Sequence, residues 1–194
     1  MTATSGSRYD TERLNEMVGR LLTLARLDTT ATSPDMRRTD LNALVSDIVA
    51  DAQWEASERS ARVDVASDGD CHVDANPDLL RSAIENVIRN AIRYTARETT
   101  VEVKLECRRD SHHDLAVIRI SDRGPGVPAS ELANMFRPFY RVADARDRQT
   151  GGVGLGLAIA ERVARVHGGS IHAENRSGGG LEVVLALKAL HDDH

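Results

Sequence analysis

The chain has 194 residues, 41% of them hydrophobic and 28% charged, with a formal net charge of −5. That balance suits one compact domain with an appendage, and no apolar run approaches the roughly 18 residues of a membrane span. An acidic chain with 3% aromatic residues lacks the basic stripe and stacking rings of a nucleic-acid module, and two distant cysteines, Cys71 and Cys107, form no CxxC zinc or disulfide pattern.

Residues 1–7, "MTATSGS", are small and polar without an apolar core, so they read as a tag or disordered end rather than a signal peptide. From Arg8 to Leu27 the periodicity is helical: Leu14, Val18, Leu21 and Ala25 share a stripe that Met17, Leu24 and Leu27 widen. This near-heptad spacing fits one arm of a helical bundle, the alternative being a helix packed on its own domain. The polar, proline-containing "DTTATSPDMRR" then marks a linker, dividing the chain into an appendage over 8–28, a linker over 29–38, a main domain over 39–190 and a tail over 191–194.

Asp40 is placed to cap a helix running from Leu41 to about Ser60. "ARVDVAS" and "CHVDA" alternate as short strands, and Asn76-Pro77 opens a second helix to about Tyr94, with Leu80, Ile84, Val87, Ile88 and Ala91 inward. "TTVEVKLEC" and "LAVIRISD" predict adjacent antiparallel strands joined by the turn "RRDSHHD". Pro125 to Gln149 is irregular except for a helical turn near Ser130. A third helix is expected from Val153 to about His167, stopped by Gly168-Gly169. "SIHAEN" and "LEVVLALK" close the chain as strands around a flexible "RSGGG". Without regular βαβ alternation, the expected fold is an α+β two-layer sandwich.

Four stretches carry chemistry. In "GGVGLGLAIA" the glycines Gly152, Gly154 and Gly156 lead straight into a helix, which lets backbone N–H groups approach an anion; a plain hinge is the alternative. The loop lacks the Gly-Lys-Ser/Thr of a Walker A motif, and no strand feeds it as in a dinucleotide fingerprint. In "ENVIRNAIRY", Asn86, Asn90 and Arg93 lie about a turn apart: two amide oxygens suited to Mg²⁺ and a guanidinium suited to phosphate, or else a solvated polar face. In "SDRGPGVP", Asp122 ends an apolar strand, where its carboxylate can accept from an exocyclic amine or form an ordinary Asx turn. In "MFRPFYRVADARDRQT", Phe136, Phe139 and Tyr140 crowd a polar loop as if pinning a movable lid, with Arg137 and Arg141 in reach of a terminal phosphate.

In this order the four stretches resemble the N, G1, F and G2 boxes of the sensor histidine kinases, relatives of gyrase, the ninety-kilodalton heat-shock chaperone and MutL. The resemblance runs from about Leu41 to Leu187. "MFRPFYR", "ARDR" and "GGVGLGLAI" look like the Cpx-type envelope-stress sensors of Gram-negative bacteria, and "RLNEMVGRLLTLARLD" looks like the second helix of their dimerisation and phosphoacceptor hairpin.

The resemblance implies a Bergerat-type ATP-binding fold, a mixed sheet covered on one face by about three helices. It implies ATP and Mg²⁺ as ligands, Asn90 as the main metal ligand with Asn86 assisting, and Arg93 at phosphate where many relatives carry Lys. Tyr94 would flank the nucleotide, Asp122 would bind the adenine amine, and Gly124 and Gly126 would shape the base pocket. Phe139, Gly152, Val153, Gly154, Leu155 and Gly156 would form the closing lid and its N–H cradle, with Arg141 ahead of Arg137 for the γ-phosphate. It implies phosphoryl transfer to a histidine, onward transfer to an aspartate of a response regulator, homodimerisation through the hairpin helices, and a cytoplasmic domain of a membrane-anchored whole protein.

Two departures stand out. None of the seven histidines lies in the acceptor pattern of His, an acidic residue, any residue, Arg, Thr or Ser, then Pro, so the chain is expected to be a piece that binds ATP without phosphorylating itself. Leu181 stands where many relatives carry Ser or Thr beside the adenine. The rival readings are an ATP-hydrolysing clamp of the gyrase and MutL kind and a docking module without activity. A clamp would want a general-base Glu one turn before the magnesium Asn; that position is Asn86, and Glu85 is turned about 100° away.

Overall fold

The computed structural model describes residues 17–19, 21–25, 27, 34–108, 114–142 and 153–191. Strand β1 (Arg37–Asp40) ends on the residue that starts helix α1 (Leu41–Glu58): the Asp40 carboxylate accepts from the backbone N–H of Asn42 at 2.8 Å and of Ala43 at 3.2 Å. Helix α2 (Pro77–Tyr94) begins the same way, with Asn76 Oδ1 accepting from Leu79 N–H at 3.0 Å and proline at the first helical position. Both caps are those the sequence indicates.

Strands β2 (Arg62–Asp68), β4 (Thr100–Arg108), β5 (Leu115–Ser121), β7 (Leu181–Lys188) and β6 (Ser170–Asn175) form a five-stranded sheet in that spatial order. The β2–β4 pair is parallel and the others antiparallel, so the sheet is mixed. Alternation along the strands sends Val101, Val103 and Leu105 of β4 and Ile118 and Ile120 of β5 into one core with Ile48 of α1, Ile84 and Ile88 of α2, and Ile159 of α3 (Gly156–Val166). The other sheet face is charged. Glu106 meets Lys104 at 2.8 Å and Arg108 at 2.6 Å, and Glu182 meets Arg119 at 2.8 Å. At the β2 edge the Gln53 carboxamide bonds to both backbone groups of Val63, which covers part of an otherwise open strand.

Four expectations change. Strand β1 falls partly inside the predicted linker; it exists through antiparallel pairing with β3 (His72–Ala75), a partner more than thirty residues away, with Thr39 buried between. Helix α3 starts at Gly156 rather than Val153, because Gly154 is left-handed at φ +78° and cannot continue a right-handed helix backwards. "RSGGG" is a closed hairpin instead of a flexible spacer: Arg176 N–H donates to Gly180 O at 3.0 Å, and the three glycines supply the left-handed backbone it needs. In the appendage, residues 17–19, 21–25 and 27 are helical, but the predicted stripe splits. Leu21 and Leu24 pack against the domain core and Leu27 is buried, while Val18 stays 51% exposed and Ala25 is exposed as well. Leu14 lies outside the described residues.

Candidate functional site

Helix α2 buries one face and turns Asn86, Asn90 and Arg93, each half-buried, along another. Asn86 donates through Nδ2 to Ser82 O at 2.8 Å, which fixes its amide and leaves Oδ1 against α3: a Cβ on Gly156 would sit 3.0 Å from that oxygen. The Asn90 carboxamide makes no hydrogen bond among the described residues. Arg93 is anchored by its backbone carbonyl, which accepts from Arg59 Nη1 at 3.3 Å. Glu85 turns the other way, toward Arg81 at 3.8 Å, and Arg81 also reaches Asp51 at 3.4 Å.

Asp122, 4% exposed, follows β5 directly. Its Oδ1 accepts from Gly124 N–H at 2.8 Å and Leu181 N–H at 3.2 Å, and Oδ2 makes no hydrogen bond among the described residues. Burial pushes this carboxyl above the usual aspartate range; the two backbone bonds and the charge of Arg176 pull against that rise. Leu181 therefore serves the site by its N–H, and its buried side chain brings no hydroxyl.

The close approaches around Asp122 depend on glycines, which carry no Cβ. A Cβ on Gly124 would lie 2.4 Å from the Tyr94 carbonyl, so the end of α2 and the Asp122 loop touch only because residue 124 is glycine. Tyr94 itself is 37% exposed at this junction. Gly126, at φ +73°, passes beside Asn175, whose amide accepts from Val127 N–H at 2.9 Å and donates to Val127 O at 2.6 Å.

At the other end, a 3₁₀ helix (Ala129–Phe136) packs Leu132, Met135 and Phe136 against the core, and the chain then turns outward. Arg137, Phe139 and Arg141 are exposed. Phe139 is held in the left-handed region at φ 63° and donates its N–H to Gly154 O at 2.9 Å. A Cβ on Gly154 would meet the Phe139 carbonyl carbon at 3.0 Å. The aromatic segment and the glycine loop are thus fastened backbone to backbone. Leu155 is fully buried and anchors the loop, Val153 is half-buried, and α3 begins without a side-chain cap, leaving its first N–H groups open to an anion. Gly152 and residues 143–150 lie outside the described residues.

His167 joins the two helices from behind. Its Nε2 accepts from Asn76 N–H at 3.0 Å, so the proton sits on Nδ1, which donates to Val163 O at 2.7 Å. The start of α2 and the end of α3 are pinned through one imidazole ring.

The structure thus sets Asn86 on Gly156, Tyr94 on Gly124, Asp122 between Gly124 and Leu181, and Phe139 on Gly154. No group of three His, Cys, Asp or Glu among the described residues is placed to hold a metal, so a cation here would depend on amide oxygens, water and ligand phosphate. That is the donor set Mg²⁺ accepts, and an unengaged Asn90 amide fits it. Sequence reasoning missed Gly180, Asn175, Arg176 and Glu102. A Cβ on Gly180 would fall 2.1 Å from the Asp122 carbonyl, and the three-glycine run was the available signal.

The profile of the histidine kinase-, DNA gyrase B- and HSP90-like ATPases matches residues 75–191. Sensor histidine kinase CpxA of Escherichia coli is 36% identical over 183 residues, which cover 93% of this chain and 38% of that protein. Sensor-like histidine kinase SenX3 of Mycobacterium tuberculosis is 34% identical over 188 residues, covering 95% of this chain and 45% of SenX3. Full-length ShkA in complex with AMPPNP superposes with a TM-score of 0.78 at 25% identity, over 96% of this chain and 38% of that one. This chain therefore spans less than half the length of these three proteins.

Proposed function

The chain belongs to the histidine kinase-, DNA gyrase B- and HSP90-like ATPase family and has the fold of its ATP-binding catalytic domains; from that premise we propose that it binds Mg-ATP and presents the γ-phosphoryl to a histidine within a two-component sensor kinase. The observation that carries this reading is the Asp122 clasp. A buried carboxylate with one oxygen locked by two backbone N–H groups and the other left open is built to accept an amine.

From that anchor the remaining roles follow. Tyr94 flanks the base, and Gly124 and Gly126 let it approach. Asn90, assisted by Asn86, would hold Mg²⁺, which when bound neutralises charge on the phosphates. Arg93 faces phosphate from α2, and Arg141 and then Arg137 reach the terminal phosphoryl from the lid. Phe139, Val153 and Leu155 fasten that lid, while Gly152, Gly154 and Gly156 let it close and offer N–H groups. Catalysis in such a site is positioning and charge neutralisation around in-line transfer. Glu85, directed at Arg81, speaks against the hydrolytic clamp, which needs a base beside the metal.

In the whole protein the phosphoryl would pass to a response-regulator aspartate, the hairpin helices would dimerise, and an inner-membrane anchor would hold the domain in the cytoplasm. No helix among the described residues is long and apolar enough to cross a membrane. Calorimetric titration with Mg-ADP or Mg-ATP tests the central claim, with a dissociation constant expected between micromolar and millimolar, about 5–8 kcal/mol. Absence of heat and of any thermal shift would sink it. Incubated with labelled ATP, this chain should gain no acid-labile phosphate.

A further inference from the structure

Asp122 is gripped from behind as well as from the pocket. The Arg176 side chain, 19% exposed, donates through Nη1 to the Asp122 carbonyl at 3.1 Å and through Nη2 to Glu102 Oε2 at 3.2 Å. The other oxygen of Glu102 accepts from Arg123 Nη2 at 2.6 Å. Arg176 also opens the hairpin whose last glycine, Gly180, lies under that same carbonyl. Strand β4, the loop after β5 and the β6–β7 hairpin therefore converge on the backbone of one residue.

We propose that Arg176 is a positioning residue for adenine recognition: it clamps the Asp122 backbone between Glu102 and the hairpin, so that the free carboxylate oxygen stays aimed at the exocyclic amine. The inference rests on the nucleotide reading above and adds to it a residue outside the four boxes. A planar guanidinium serves a carbonyl and a carboxylate at once; an ammonium keeps the charge without the fork.

The electrostatics agree with the geometry. Burial raises the Asp122 carboxyl, and Arg176 is the cation that lowers it, alongside the Gly124 and Leu181 N–H groups. The other charged groups nearby are engaged elsewhere. Arg123 turns to Glu102, and Glu182 of β7 is taken by Arg119 and Ser121. From the end of α2, the Tyr94 carbonyl abuts Gly124, whose N–H bonds to the Asp122 carboxylate. With Oδ1 held by two N–H groups, a proton on Asp122 would sit on Oδ2 and turn the oxygen facing the amine into a donor, so adenine affinity falls as pH drops through the Asp122 pKa. Removing the Arg176 charge moves that fall to higher pH.

The test compares the unaltered chain with Arg176→Met, which keeps stem length but loses fork and charge, and Arg176→Lys, which keeps charge alone. Mg-ADP and Mg-IDP are titrated calorimetrically across the acid to neutral range, with melting curves to check folding. Arg176→Met is expected to bind Mg-ADP about tenfold more weakly at neutral pH, to change Mg-IDP by less than about twofold, and to lose ADP at a higher pH. Arg176→Lys should keep the pH midpoint and lose part of the affinity. Unchanged ADP binding in Arg176→Met, or equal losses for ADP and IDP, overturns the proposal. If Arg176→Met fails to fold, Arg176→Lys decides: affinity equal to that of the unaltered chain overturns the clamp. An unaltered chain that binds ADP no better than IDP overturns the adenine reading itself, independently of Arg176.

Discussion

The proposed adenine end and the proposed phosphate end of the site are built by opposite means. Around Asp122 the carboxylate is buried and bonded to two backbone N–H groups, and two glycines leave no room for even one carbon at 2.4 Å from Tyr94 O and 2.1 Å from Asp122 O. Around Gly154 the side chains that would meet phosphate are exposed, and a phenylalanine holds an unfavourable left-handed backbone through one hydrogen bond to the glycine loop. The base is the same in every turnover, so a rigid template suits it. On the proposed reading the phosphoryl would be covered, transferred and released, which calls for parts that move at low cost.

Substitutions should separate the two ends, and the largest effect is expected at the rigid one. Gly180→Ala places a methyl into the Asp122 carbonyl at φ +100° and should destabilise the fold by about 3 kcal/mol or more, read from a denaturant or thermal melt. A melt like that of the unaltered chain would mean the hairpin yields, and the contrast would fail.

Asp122→Asn keeps shape and an acceptor for Gly124 and Leu181 but removes the charge. Adenine-nucleotide affinity should fall about 100-fold, the scale of a lost charge-assisted bond. Its stability should move the other way. The folded carboxyl is raised above its unfolded value, so the ionised form penalises the empty protein at neutral pH and that penalty vanishes as pH falls through the raised pKa. Asp122→Asn should therefore melt no lower than the unaltered chain at neutral pH, and the unaltered chain should gain on it as Asp122 protonates. A marked loss of stability in Asp122→Asn would show the carboxylate to be structural.

At the phosphate end, Asn90→Ala removes an amide with no partner among the described residues. Mg-nucleotide affinity should drop about tenfold with the melting temperature unchanged, since no internal hydrogen bond is broken. Unchanged affinity would take Asn90 out of the metal role.

The smallest effect is expected far from both ends. Glu106, on the open sheet face, is held down to about 2 by hydrogen bonds from Lys104 and Arg108. A depressed carboxyl adds stability that is complete above its unfolded value and is lost as pH falls toward 2. Glu106→Gln should thus show a slightly flatter acid melt without altering nucleotide affinity, confining that charge lattice to stability.

Local signals made much of this protein legible in advance. Asp40 and Asn76-Pro77 announce helices because a cap is a contact within three residues, and alternation in "SIHAEN" and "LEVVLALK" places β6 and β7 within a sheet. The four motifs pointed to the family because each lies within one short stretch. What the sequence did not disclose was reach. The helical stripe before Leu27 does not say that Leu21 and Leu24 will lie on this domain while Val18 and Leu22 face outward.

By itself, then, the order of residues determined the helices, the main strands and the α+β class, and it nominated the candidate site groups, all through spacing of a few residues. Tertiary structure alone decided that β1 pairs with β3, that three glycines form a wedge instead of a tether, and that Arg176 crosses 74 positions to Glu102 beneath Asp122. Such contacts depend on how the sheet orders its strands, and chain entropy leaves no trace of that order in any short window of sequence.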